Sequence, residues 1–118
     1  MIHLDTNFLI QSLVPGSHAD QQLQLWLVSG EDIGISAIAW SEFLCGPLMK
    51  ADQLLAEALL TTVEPFPIAD ARKAAELFNA TGRRSRSLAD CQIAAVALRC
   101  TAPLATINRA DFKMFAKS

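Results

Sequence analysis

The sequence predicts an α/β fold, a parallel sheet covered by helices on both faces, and three observations carry that expectation. Short strand-like apolar runs alternate with longer runs of helical periodicity along the 118 residues. The strand candidates are separated by helical segments, and crossovers of that kind join parallel neighbours. No repeat and no low-complexity segment interrupts the alternation.

The first strand candidate is Ile2-His3-Leu4, closed by Asp5, and a helix is expected over about residues 6 to 13. Pro15-Gly16 ends that helix, and a second follows over about 18 to 29, stopped by Gly30. Ile33 to Ile35 reads as the second strand, with helices over about 37 to 46 and 51 to 61 on either side of Gly46-Pro47. Val63 to Phe66 is the third strand candidate, and the next helix spans about 69 to 81, up to Gly82. A last helix over about 87 to 100 leads into the fourth strand candidate, Pro103 to Thr106.

A chain of this length makes one domain, residues 1–118, with one core and no linker. Its hydrophobic fraction of 52% and mean hydropathy of +0.28 are high, yet no apolar run approaches the ~18 residues a membrane span needs. No basic and apolar leader precedes Asp5, so a cytoplasmic location is expected. Cys45, Cys91 and Cys100 lie in apolar helical stretches without C-x-x-C spacing or a neighbouring histidine, and read as reduced core residues. His3 and His18 lack the i, i+4 partner of a zinc motif and read as structural or exposed. The net charge of −2 excludes coating of nucleic acid by bulk charge. Arg83, Arg84 and Arg86 still form a local basic patch, either a solvated loop or a holder of substrate phosphates.

Four acids stand in apolar surroundings where an unpaired carboxylate is costly: Asp5, Glu42, Asp90 and Asp111. Such a set points to a shared divalent cation, and each member also has a plainer role. Asp5 fits the N-cap of the helix that starts at Thr6. Glu42 shares a helical face with Ile38, Ala39, Cys45 and Met49, which puts it in a site or at the margin of an amphipathic face. Asp90 falls three residues after Ser87, the spacing of a capping box, while the small Ala94 and Ala97 on the same helix would let it approach the sheet. Asp111 fits an ordinary turn, and Asn108 is a rival for its place. Strand ends of parallel sheets gather active sites at their carboxyl edge, where Asp5 and the stretch from Thr106 to Asp111 are both expected.

The ordered motifs Leu4-Asp5-Thr6-Asn7, Ser41-Glu42-Phe43, Leu88-Ala89-Asp90-Cys91-Gln92-Ile93-Ala94-Ala95 and Ala105-Thr106-Ile107-Asn108-Arg109-Ala110-Asp111-Phe112 resemble the PIN-domain family, most closely the VapC-type toxins of VapBC toxin–antitoxin pairs. The resemblance runs from the first residues to Phe112. It implies a PIN-like three-layer sandwich with a sheet of four to five strands, and an endoribonuclease dependent on Mg2+ or Mn2+. It also implies inhibition by a small VapB-type antitoxin. By resemblance, Asp5, Asp90 and Glu42 would be metal ligands, Asp111 or Asn108 the fourth member, and Thr6 and Thr106 polar neighbours. The chain departs from the family pattern at its end, where Lys113 to Ser118 is short for the further strand that members carry.

Oxygen ligands around a hard cation suit phosphodiester hydrolysis of RNA. Two other classes compete with the nuclease. One is a PIN-like protein-binding module without catalysis, against which the three core acids argue. The other is a receiver-like phosphoacceptor domain, against which stands the lack of an adjacent acidic pair after the first strand and of a clear late lysine. Trp26, Leu27, Trp40, Phe43, Leu54 and Leu55 are candidates for a homodimer contact or for an antitoxin helix, with core packing as their ordinary use.

Overall fold

The structure, a computed structural model, describes residues 1–81 and 87–107. Its elements follow the order β1 (Ile2–Leu4), α1 (Thr6–Ser12), α2 (His18–Val28), β2 (Ile33–Ser36), α3 (Ala37–Cys45), α4 (Lys50–Leu59), β3 (Thr62–Glu64), α5 (Ile68–Ala80), α6 (Leu88–Arg99) and β4 (Leu104–Ala105). The expected helices form within a residue or two of their expected spans. The third strand differs from expectation, ending at Glu64 and not at Phe66. Pro65 and Pro67 lack the N–H a ladder needs, while the Thr61 N–H donates to the Ile33 carbonyl at 2.7 Å and draws the pairing toward earlier residues.

The strands are short, and the two central ones, β1 and β2, are paired on both sides. All pairings are parallel, in the order β3-β2-β1-β4, with Leu4 opposite both Ile35 and Ala105. Every position of β2 is buried, as expected of a strand covered on both faces. The first two connections carry the chain one way across the sheet, and the third carries it back past β2 and β1. Right-handed crossovers then put α1 to α4 on one face and α5 and α6 on the other. Two apolar clusters match that division. Leu4, Ile33 and Ile35 pack with Phe8, Leu9, Leu23, Ala39, Phe43 and Ala56, whereas Ala74 and Leu77 pack with Cys91, Ala94 and Ala95. Ile93 joins the first cluster where α6 meets α3.

Polar residues are few on the α5–α6 face. His3 is 1% exposed, its two ring nitrogens find no partner among the described residues, and burial pushes its pKa below the ordinary 6.5, so the ring is neutral. Asp70 is also buried, and the Arg99 Nε donates to its Oδ2 at 2.8 Å. Arg99 also donates to the Pro65 carbonyl and pairs with Glu64, so one side chain ties α6 to α5 and to the end of β3.

Several apolar expectations are corrected. Cys91 is buried, but Cys45 is exposed at the end of α3, because α3 turns only Ala39 and Phe43 fully inward, and Cys100 is half-buried at the end of α6. Phe43 is core, stacked on half-buried Trp40 at 5.3 Å, and Trp26 stacks on Phe8 at 5.6 Å. Leu27, Leu54 and Leu55 remain exposed. No helix among the described residues is long and apolar enough to cross a membrane.

Candidate active site

β1 and β4 meet where the strand order reverses, the point at which parallel sheets open a crevice beyond their carboxyl ends. Asp5 is the first residue past β1, and Thr106 the first past β4. The Asp5 N–H donates to the Ala105 carbonyl at 2.9 Å, which locks the two strand ends together. The Thr106 hydroxyl then donates to Asp5 Oδ2 at 3.0 Å.

Asp5 occupies the N-cap position of α1, yet its carboxylate makes no capping bond to the helix. The capping role expected as the plainer alternative is therefore not what holds this side chain. Asp5 is 6% exposed, and no lysine or arginine pairs with it among the described residues. Its pKa is raised above 3.8, chiefly by burial and further by the charges of Asp90 and Glu42. The Thr106 hydroxyl and the Thr6 amide oppose that rise.

Glu42 comes to the same edge on α3, whose first turn is capped by Ser36, with its Oγ accepting the Ala39 N–H at 3.1 Å. The Thr6 hydroxyl donates to Glu42 Oε1 at 2.7 Å, a bond across 36 positions of sequence that joins α1 to α3. The expectation of a carboxylate on an apolar helix face is corrected here. Glu42 is solvent-exposed, because its neighbours Leu44 and Cys45 turn outward with it, and it sits at the margin of the face.

Asp90 is half-buried in the first turn of α6. The expected capping box is present in both directions. Ser87 Oγ accepts the Asp90 N–H at 3.0 Å, and Asp90 Oδ2 accepts the Ser87 N–H at 3.3 Å. Ala94 and Ala97 are buried, so α6 packs closely, and Asp90 reaches the range in which its charge acts on Asp5. Asp111, Asn108, Arg83, Arg84 and Arg86 lie outside the described residues. His18 is exposed, as one of its two expected states.

Three acids and two threonines thus share the carboxyl edge of the sheet. Among the described residues, no three His, Cys, Asp or Glu side chains form a ready-made metal cage. The donor set still fits a hard divalent cation. It consists of carboxylate oxygens, its central member is buried without a cationic partner, and magnesium needs only one or two carboxylates besides water. Sequence reasoning missed the Asp70–Arg99–Glu64 network, since nothing in the spacing of these residues tells a buried ion pair from solvated helix ends.

Comparison with known proteins agrees with this fold. No curated protein matches the chain significantly. Among solved structures, a chain of FitAcB from Neisseria gonorrhoeae is 26% identical, with a TM-score of 0.71 over 98% of this chain and 94% of that one. A chain of a toxin–antitoxin complex from Klebsiella pneumoniae is 28% identical, with a TM-score of 0.73 over 95% and 90% of the two chains. A chain of VapBC2 from Rickettsia felis, bound to a DNA fragment from its promoter, is similar in fold at 22% identity, with a TM-score of 0.75 over 97% and 92%. The family model of the PIN domain matches residues 2–117. The chain belongs to the PIN-domain family.

Proposed function

We propose that the chain is the toxin of a toxin–antitoxin pair, of the VapC type, and acts as an endoribonuclease dependent on Mg2+ or Mn2+. The observation that carries this reading is the buried Asp5 carboxylate, raised in pKa by burial and by the charges of Asp90 and Glu42. A carboxylate so placed has no stabilising counter-charge among the described residues, which is the environment a cation relieves. The toxin role is supported by the likeness to a chain of the toxin–antitoxin complex from Klebsiella pneumoniae.

In this reading Asp5, Asp90 and Glu42 hold the cation, with Asp111 or Asn108 as a further member. When bound, the cation supplies Lewis-acid polarisation and neutralises charge at the scissile phosphate. Thr106 and Thr6 orient the Asp5 and Glu42 carboxylates through the bonds described above. Arg83, Arg84 and Arg86 contact the RNA backbone as charge-assisted donors. The reading includes a single PIN domain in the cytoplasm that forms a homodimer and is silenced by a VapB-type antitoxin. Exposed Leu54 and Leu55 on α4 are candidates for either contact.

The test is cleavage of a mixed pool of structured RNAs by the purified chain with Mg2+, Mn2+ or EDTA, beside Asp5→Asn and Asp90→Asn. Metal-dependent cutting that both variants lose is the expected result. The second reading is a catalytically silent binding module. Folded chain that cuts none of these RNAs under any metal condition supports that module.

A further inference from the structure

Each described acid of the site is met by a hydroxyl-bearing residue. The Thr106 hydroxyl donates to the Asp5 carboxylate and the Thr6 hydroxyl to the Glu42 carboxylate, whereas the Asp90 carboxylate accepts the Ser87 backbone N–H while the Ser87 hydroxyl accepts the Asp90 N–H. The first two bonds span 101 and 36 positions of sequence and join separate elements. The third is local and belongs to the cap of α6. A serine at the N-cap with an acid at N3 ordinarily satisfies two free helix amides and nothing more. Here the N3 acid is also one whose charge acts on Asp5.

We infer that Ser87 is a positioning residue for the cation site, its capping box with Asp90 setting the orientation in which that carboxylate meets a divalent cation. The inference rests on the proposed nuclease reading.

Asp90 is only half-buried, so packing alone does not select its rotamer as enclosure does for Asp5. Its orientation depends on the bond from the Ser87 N–H to Oδ2, which at 3.3 Å is long for an N–H···O contact. That weak bond needs an amide that does not wander. The shorter reciprocal bond, from the Asp90 N–H to Ser87 Oγ at 3.0 Å, fixes Ser87 in its extended conformation and aims its amide at the carboxylate. Engaging Oδ2 in this way restricts rotation of the carboxylate. The body of α6 does not depend on the cap, because Cys91 and the run from Ile93 to Ala97 are buried. Loss of the Ser87 hydroxyl therefore loosens the Asp90 carboxylate while α6 stays docked.

An internal control is available. Ser17 caps α2 by the same chemistry, its Oγ accepting the Asp20 N–H at 3.0 Å, on a helix that carries none of the site acids. The experiment is titration of Mn2+ into the full chain, with free Mn2+ read by electron paramagnetic resonance, beside metal-free thermal unfolding. Ser87→Ala is expected to weaken Mn2+ binding about tenfold, the scale of lost ligand orientation. Ser87→Thr, which restores an oxygen acceptor, and Ser17→Ala, which removes an equivalent cap elsewhere, are expected to bind within about twofold of the parent chain. Ser87→Gly, which lacks the hydroxyl at little cost to the cap, replaces Ser87→Ala should the latter unfold. Unchanged Mn2+ affinity in a folded Ser87→Ala or Ser87→Gly chain overturns the inference alone. An equal loss of affinity in Ser17→Ala does the same, since it would make the effect one of general stability. Absence of Mn2+ binding by the parent chain overturns the cation reading and this inference with it.

Discussion

Asp5 pays an electrostatic penalty in the metal-free fold, and the sign of that penalty can be worked out. Its folded pKa lies above 3.8, so the folded chain binds the proton more tightly than the unfolded chain. The contribution of Asp5 to stability is therefore most favourable below the ordinary carboxylate range and falls as pH rises through the raised folded value, leaving its full penalty at neutral pH. Asp5→Asn keeps an acceptor for the Thr106 hydroxyl and removes the charge. In EDTA at pH 7 it is expected to melt above the parent chain, with the gap closing as pH falls toward 4. Thermal unfolding across that range checks this, and a variant less stable at every pH would show that burial of the charge is not what strains the fold. The sequence pointed to Asp5 because it closes an apolar run. It did not show that the side chain forgoes the helix cap, since that depends on where Thr106 arrives from 101 positions away.

Single bonds between elements carry much of the arrangement. Thr6 to Glu42 is the one hydrogen bond described between the α1 and α3 side chains at the site, and it restrains an exposed glutamate that packing leaves loose. Thr6→Val, nearly equal in volume, is expected to lower metal-dependent cleavage about tenfold. Its melting temperature should stay close to that of the parent chain, measured in parallel. On the other face, Arg99→Ala removes the partner of Asp70, a carboxylate 3% exposed. A buried acceptor left unpaired costs about 2 kcal/mol, and urea unfolding should read a loss of that order. Asp70→Asn added to Arg99→Ala should recover part of it. The helices themselves were legible, because Pro15-Gly16, Gly30 and Gly46-Pro47 punctuate runs of clear 3.6 period. The third strand was misplaced by two residues at its end because apolar Phe66 reads as strand while the prolines around it forbid the ladder.

For the molecule as a whole, cation binding and folding are linked. A ligand bound only by the folded state stabilises it by an amount that grows with the logarithm of its concentration, about 2.7 kcal/mol at a hundred times Kd. Mn2+ is therefore expected to raise the melting temperature of the parent chain in steps with concentration, EDTA to reverse the rise, and Asp5→Asn to show neither effect. A melting temperature that ignores Mn2+ at millimolar concentrations would remove the cation from the account. The same reasoning explains why the site lies where the fold is best braced. Asp5 follows β1, one of the two strands hydrogen-bonded on both sides, so the carboxylate that is least comfortable alone stands on a braced element.

The sequence by itself determined the alternation of strand and helix, the parallel sheet, the carboxyl edge as the place for Asp5, and the capping box of Ser87 with Asp90. Each of these is set by residues within a few positions of one another, where periodicity, turn chemistry and side-chain reach act directly. Only the tertiary structure decided that Glu42 is exposed and held by Thr6, that the Thr106 hydroxyl reaches Asp5, and that Asp70 is buried against Arg99. Burial and long-range partners depend on how α1, α3, α6 and β4 converge, and helical spacing marks a face without saying how far the next element covers it.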